Sequence, residues 1–216
     1  LNKEDISVIQ DLMATASFHE GTASAGSEAI RVKNNHEMFI SEVETQRLNN
    51  LVMGKLIQNP TYIAAAFAKK IATPFYAKYT EGMHYGKHID DPIMGPPNQR
   101  YRTDISITIF LNEPAAYDGG ELIISTAFGE QKVKLNAGDA VLYPSSSTHQ
   151  VAEVTRGERL VAVTWLQSLV REPAKRELLY DMYQVKEQLL KDAPDDENTK
   201  RMDRSYVNLI RMWGDV

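Results

Sequence analysis

No cysteine occurs among the 216 residues, which excludes disulfides, zinc ribbons and thiol nucleophiles. No apolar run approaches the about 20 residues that a membrane-spanning helix needs. Positive charge is not in excess either: 24 Lys and Arg against 29 Asp and Glu leave a net charge of −5. That balance gives no electrostatic support for binding nucleic acid or an anionic membrane. What remains is ordinary for a soluble globular protein, with 43% hydrophobic and 25% charged residues. The length suits one β domain with helical additions. The chain starts at Leu1 rather than Met, and the cytoplasm is the default location to expect.

Periodicity divides the chain into three regions that should form one compact unit: a helical support region over 1–72, a β core over 73–171 and a helical extension over 172–216. Ile6, Ile9, Leu12 and Met13 recur at helical spacing, which predicts an amphipathic helix over about 3–16. Residues 21–26, rich in Gly, Ser and Ala, read as a loop. Ser41-Glu42-Val43-Glu44 has the form of a capping box, and Leu48, Leu51, Val52 and Leu56 carry an apolar face up to Asn59-Pro60. A second helix is expected over Thr61–Lys70, with Lys69-Lys70 as its solvated end. Both helices should cover one face of a sheet. His19 and His36 lie in polar surroundings and read as solvated.

From Thr73-Pro74 onward the pattern is of strands. Phe75–Tyr79 and Ile105–Leu111 are strand candidates, and turn signals at Asp118-Gly119-Gly120, Phe128-Gly129-Glu130 and Asn136-Ala137-Gly138-Asp139 separate further short ones. Such spacing indicates a sandwich or barrel. Residues 91–101, rich in Pro and Gly, form either a plain connection or a lid beside the site. After Glu172-Pro173, helices are expected over about 174–191 and 197–213. Their apolar stripes are Leu178, Met182, Val185, Leu189 and then Met202, Tyr206, Leu209, Trp213. They would pack on the domain or form a homodimer contact.

The candidate chemistry lies in the β region. His88 and Asp90, two residues apart, would share one face of a strand. With the distant His149 they make two imidazoles and one carboxylate, the ligand set of non-haem Fe(II) oxygenases. Arg159 follows ten residues later. If Thr155-Arg156-Gly157 is a three-residue hairpin loop, with Gly157 supplying the left-handed residue, then Glu153 pairs with Arg159 and His149 with Val163. Arg159 then shares the face of His149, together with Val161, Val163 and Trp165, and is able to bind a carboxylate in a forked contact. A two-residue loop would send Arg159 to the opposite face, and Arg156 points to solvent in the first reading. His84 sits beside these groups, next to the ligands or facing substrate, and Trp165 is expected to pack the barrel.

These residues resemble a known family. Tyr79-x-x-Gly82-x-x-Tyr85-x-x-His88-x-Asp90, followed by His149 and Arg159, resembles the 2-oxoglutarate- and Fe(II)-dependent prolyl-4-hydroxylase-like dioxygenases, and most closely their bacterial PKHD-type hydroxylase branch. Matching phrases include Arg102-Thr103-Asp104-Ile105-Ser106, Tyr117–Leu122, Leu142-Tyr143-Pro144-Ser145-Ser146-Ser147 and Thr164–Ser168. Lys33-Asn34-Asn35 also fits. The resemblance implies a mainly β fold with flanking helices, a double-stranded β-helix (jelly roll) with helices packed on the sheet. It implies Fe(II) on His88, Asp90 and His149, and 2-oxoglutarate on Arg159 with Tyr79 nearby. O2 as co-reactant and ascorbate as reductant are implied too. The activity it implies is hydroxylation of an unactivated C–H bond in a small molecule or peptide, such as a peptidyl proline, with release of succinate and CO2. The alternative from another class is a cupin-like jelly roll that senses a metal and a dicarboxylate without oxidation. A zinc hydrolase fits less well, because no obvious general base accompanies the ligands.

Overall fold

The computed structural model describes residues 1–24 and 29–216. Within the expected 21–26 loop, Gly21–Ser24 form a short 3-10 helix, and Ala25 and Gly26 lie outside the described residues. Helix α1 (Lys3–Thr15) opens with a capping box: the Asn2 side chain accepts from the Asp5 amide, and the Asp5 carboxylate accepts from the Asn2 amide. Helix α2 (Glu42–Gln58) starts at the expected Ser41/Glu44 box. Ile6, Ile9 and Met13 of α1 and Leu48, Val52 and Leu56 of α2 are buried against Ile105, Ile107, Ile109, Leu160 and Leu166. Their apolar stripes therefore cover one sheet face, as the periodicity requires.

Helix α3 is shorter than expected, Pro60–Ala66. Phe67 turns left-handed (φ 47°), and Ala68–Ile71 becomes a strand on the edge of Arg159–Ser168, with Lys70 opposite Gln167. Lys69-Lys70 is thus not a helix end. An open sheet edge offered backbone partners, and that overrode the helix propensity of the Ala-rich run.

All strand pairs are antiparallel. The larger sheet runs in the order Ser17–Glu20, His36–Phe39, Phe75–Tyr79, Arg159–Ser168, Ile105–Phe110, Ala140–Pro144, with Ala68–Ile71 also on Arg159–Ser168. The smaller sheet runs Gly129–Val133, Leu122–Thr126, His149–Val151, His84–His88, Lys33–Asn34. Both sheets send apolar side chains into a shared core, Ala77, Tyr79, Phe110 and Val161 from one and Val151 from the other. From 105 onward the chain passes back and forth between the sheets, which makes a jelly roll. The 1–72 region contributes strands to both sheets as well as helices.

This crossing corrects the hairpin reading. His149–Val151 pairs with Leu122–Thr126 and with His84–His88, placing His149 opposite His88 and not Val163. Val154–Gly157 is itself a strand, paired with Tyr117–Gly119 so that Arg156 faces Asp118. Segment 152–158 carries the chain from one sheet to the other, and a hairpin would have kept it in the same sheet. Gly157 does take a left-handed conformation (φ 73°), but in a crossover where a side chain would strike the backbone of Ala116 and Tyr117.

Residues 91–101 are neither plain loop nor featureless: Ile93–Met94 pairs with Tyr101–Arg102 in a small hairpin. Helices α4 (Pro173–Asp192) and α5 (Glu197–Trp213) pack on each other and on Val170 through Leu179 and Tyr206, with Phe67, Met182, Leu209 and Trp213 around them. The buried stripe of α4 is turned from the one read in sequence, for Leu179 is buried while Leu178 and Val185 are both 48% exposed. Among the described residues no helix is long and apolar enough to cross a membrane.

Candidate active site

His88 is the last residue of its strand, so Asp90 lies in the segment beyond it. Asp90 stands just past the strand, and its Oδ1 faces the Nε2 of both rings. His149 begins the neighbouring strand and pairs with His88, which sets the two rings 4.2 Å apart between centroids. His88 Nε2 lies 4.0 Å and His149 Nε2 3.8 Å from Asp90 Oδ1. One donor atom from each of the three residues lies within 4.8 Å of the others.

Each ring is oriented from behind. His88 Nδ1 donates to the Gly86 carbonyl at 2.8 Å, and His149 Nδ1 to the Ser147 carbonyl at 3.0 Å. A carbonyl only accepts, so Nδ1 carries a proton in both rings, and each Nε2 faces Asp90. Burial, reinforced by the neighbouring His149, pushes the His88 pKa down to about 4. That ring is neutral at neutral pH, as a ligand must be. Tyr85 stacks on His88, with ring centroids 3.7 Å apart and planes at 13°, and Tyr143 meets His149 edge-on at 5.1 Å. Asp90 Oδ2 accepts from Ser106 Oγ at 2.5 Å.

Arg159 reaches the same cavity from the opposite sheet. Its side chain is 1% exposed, its Nε has no hydrogen-bond partner, and no carboxylate pairs with it among the described residues. The guanidinium carbon lies 5.0 Å from the Tyr79 ring centroid and 5.7 Å from that of Phe110. Tyr79 pairs directly with Arg159 across the strands. Burial raises the Tyr79 pKa, opposed by Arg159, so its hydroxyl stays protonated and able to donate. A buried, unpaired cation is costly unless a ligand neutralises it. The cavity joining it to the His and Asp residues is about 710 Å³, which exceeds what a five-carbon dicarboxylate fills.

Sequence reasoning thus brought together His88, Asp90, His149, Arg159 and Tyr79, although the route to Arg159 was wrong. It overstated His84, whose ring sits by the Gly82 carbonyl at 3.4 Å and outside the cavity lining. It understated Trp165, which lines the cavity with a buried Nε1 that has no hydrogen-bond partner among the described residues. Ser106, Ser145, Tyr85 and Tyr143 were visible only as parts of matching phrases. Nothing in their local pattern says that three of them touch His88, Asp90 or His149 and that Ser145 backs Ser106.

A jelly roll carrying two imidazoles, one carboxylate and a buried arginine in one cavity defines the class, and comparison agrees. Residues 74–167 match the 2OG-Fe(II) oxygenase superfamily, and residues 174–215 match the PKHD-type hydroxylase C-terminal domain. A PKHD-type hydroxylase of Thioalkalivibrio sulfidiphilus is 51% identical over 216 residues, 100% of this chain and 96% of that protein. One of Nitrosomonas europaea is 40% identical over 218 residues, with the same shares covered. The chain belongs to the PKHD-type hydroxylases and is a hydroxylase enzyme. Solved structures agree in fold. A Pseudomonas putida prolyl-4-hydroxylase matches at a TM-score of 0.53 and 19% identity, covering 77% of this chain and 88% of that one. A Trichoplax adhaerens prolyl hydroxylase, in complex with a hypoxia inducible factor oxygen degradation domain peptide fragment, matches at 0.56 and 15%, covering 83% of each. Family membership implies Fe(II), 2-oxoglutarate and O2. The residues present fit them, since two imidazole Nε2 atoms and a carboxylate suit Fe(II), and a buried guanidinium with an unpartnered Nε suits a dicarboxylate.

Proposed function

We propose that this chain hydroxylates an unactivated C–H bond while converting 2-oxoglutarate to succinate and CO2. His88, Asp90 and His149 hold Fe(II) on one face, and Arg159 binds the far carboxylate of 2-oxoglutarate through a forked contact. The observation that carries this reading is the Arg159 guanidinium, 1% exposed and without a carboxylate partner, in the cavity of the ligand set. When bound, the iron and cosubstrate supply the oxidising power, one oxygen of O2 going to succinate and the other into the C–H bond. The chain's own residues orient and exclude water. Tyr79 donates from beside Arg159, and the β walls keep the cavity apolar around the reacting centre.

The substrate class in this proposal is a small molecule or peptide, with peptidyl proline the first candidate. It draws support from the prolyl hydroxylases that share the fold and from cavity space beyond the cosubstrate. Ascorbate is its reductant. The three regions 1–72, 73–171 and 172–216 act as one unit, held by the helix–sheet and C-terminal clusters. Iron-loaded protein incubated with 2-oxoglutarate and O2 tests the reaction: succinate and CO2 support it. Tight binding of metal and dicarboxylate without turnover supports a cupin-like sensor. A product one oxygen heavier, sought among proline peptides and metabolites, identifies the substrate.

A further inference from the structure

The segment Pro144–Ser147 has no role in the reaction as described, yet it contacts His149 directly and Asp90 through Ser106. The Ser147 carbonyl holds His149 Nδ1 at 3.0 Å. Ser145 acts at one remove on Asp90, through Ser106: the two serine hydroxyl oxygens are 2.8 Å apart, and Ser106 Oγ is 2.5 Å from Asp90 Oδ2. Ser106 is 0% and Ser145 2% exposed, so both hydroxyls lie away from bulk solvent.

The proton directions follow from counting. Asp90 as a carboxylate only accepts, so the single hydroxyl proton of Ser106 is committed to Oδ2. The 2.8 Å contact then runs from Ser145 to Ser106. The chain is Ser145 to Ser106 to Asp90, each donor fixing the next. It engages Oδ2 alone, while Oδ1 is the oxygen that faces His88 and His149 Nε2. Both serines sit on rigid backbone: Ser106 lies within the central Ile105–Phe110 strand, and the Ser145 amide donates to the Asp104 carbonyl at 3.2 Å.

Building on the assignment of the ligand set above, we propose that Ser106 and Ser145 are positioning residues that hold Asp90 as a one-oxygen ligand. By occupying Oδ2 they prevent the carboxylate from chelating the metal with both oxygens, and so keep a coordination position open for cosubstrate. Partners of this kind typically contribute about 10–100-fold to metal affinity or activity.

The test uses the full chain loaded with Co(II) in the absence of 2-oxoglutarate. Ser106→Ala should weaken Co(II) binding about 10–100-fold and alter the visible d–d spectrum, because a freed Oδ2 changes the coordination number. Ser106→Thr, which retains the hydroxyl, should restore both. Ser145→Ala leaves the Ser106 donor in place but unoriented, and should weaken binding by a smaller factor with a partial spectral change. Wild-type affinity and spectrum in Ser106→Ala would overturn the proposal. If Ser106→Ala does not fold, Ser145→Ala decides alone, and wild-type behaviour there overturns the relay. His149→Ala separates this from the underlying assignment: its loss of Co(II) binding with normal binding by both serine variants removes the relay only. Undiminished Co(II) binding by His149→Ala removes the ligand assignment and the relay with it.

Discussion

Replacing Arg159 tests the cosubstrate pocket directly. In the free protein the guanidinium is 1% exposed, with an unpartnered Nε and two aromatic rings for neighbours. Bound carboxylate would supply two parallel charge-assisted hydrogen bonds, each contributing about 1.5–3 kcal/mol. Their sum, about 3–6 kcal/mol, corresponds to at least about 100-fold in affinity at about 1.4 kcal/mol per decade. Water entering the vacated space solvates part of the carboxylate and keeps the effect toward the lower end. Arg159→Ala should therefore raise the 2-oxoglutarate KM about 100-fold or more, with Mn(II) affinity unchanged. Arg159→Lys should recover only part, since the charge remains but the fork is lost. Stability gives a second readout with the opposite sign. Arg159→Met removes a buried unpaired charge, so without ligand it should melt above wild type. In saturating Mn(II), adding 2-oxoglutarate at 100 times its wild-type Kd should stabilise wild type by about a further 2.7 kcal/mol and the Met variant by almost nothing. Succinate formation against 2-oxoglutarate concentration and thermal melts are the assays. An unchanged 2-oxoglutarate requirement in Arg159→Ala would refute the reasoning.

Arg156→Ala is the control: its ion pair with Asp118 joins side chains 60% and 58% exposed, so activity and stability should both stay close to wild type. Ala at His88, Asp90 or His149 should abolish Fe(II)-dependent turnover while circular dichroism stays that of the folded chain; full activity without His149 would remove the ligand set. The His88 pKa falls from 6.5 to about 4 on folding, so the unfolded chain binds more protons between those values. Metal-free stability should then be complete above pH 6.5 and fall by at most about 3 kcal/mol as pH drops through 4; urea titrations should show this slope and its loss in His88→Ala. Leu179→Ala, at a position 0% exposed between α4 and α5, should cost about 2–5 kcal/mol in denaturant unfolding. Homodimerisation through the outward Leu178 and Val185 is decided by light scattering, where a monomer at high micromolar concentration removes it.

Local pattern settled much of this molecule. The Ser41/Glu44 box and the Leu48, Val52, Leu56 stripe wrote α2 into the chain, because capping and 3.6-residue periodicity are short-range effects. Turn chemistry around Gly129 and Gly138 marked the strands that follow, whereas Asp118-Gly119, expected as a turn, lies in a short strand of its own. The residue types and spacing at His88, Asp90 and His149 pointed to a candidate ligand set, and the fold brings the three side chains together. Tertiary structure alone decided which strands meet. Whether His149 pairs with Val163 or with His88 turns on a hairpin against a crossover, and sequence period 2 is the same in both. Arg159 reached the cavity by facing the ligands from the other sheet. The Lys69-Lys70 segment followed the same logic, since an open edge on Arg159–Ser168 drew it into a strand that its own propensity did not predict. The Ser145 to Ser106 to Asp90 chain spans 39 and 16 residues of sequence separation. No local signal encodes such contacts; they exist only where the sandwich closes.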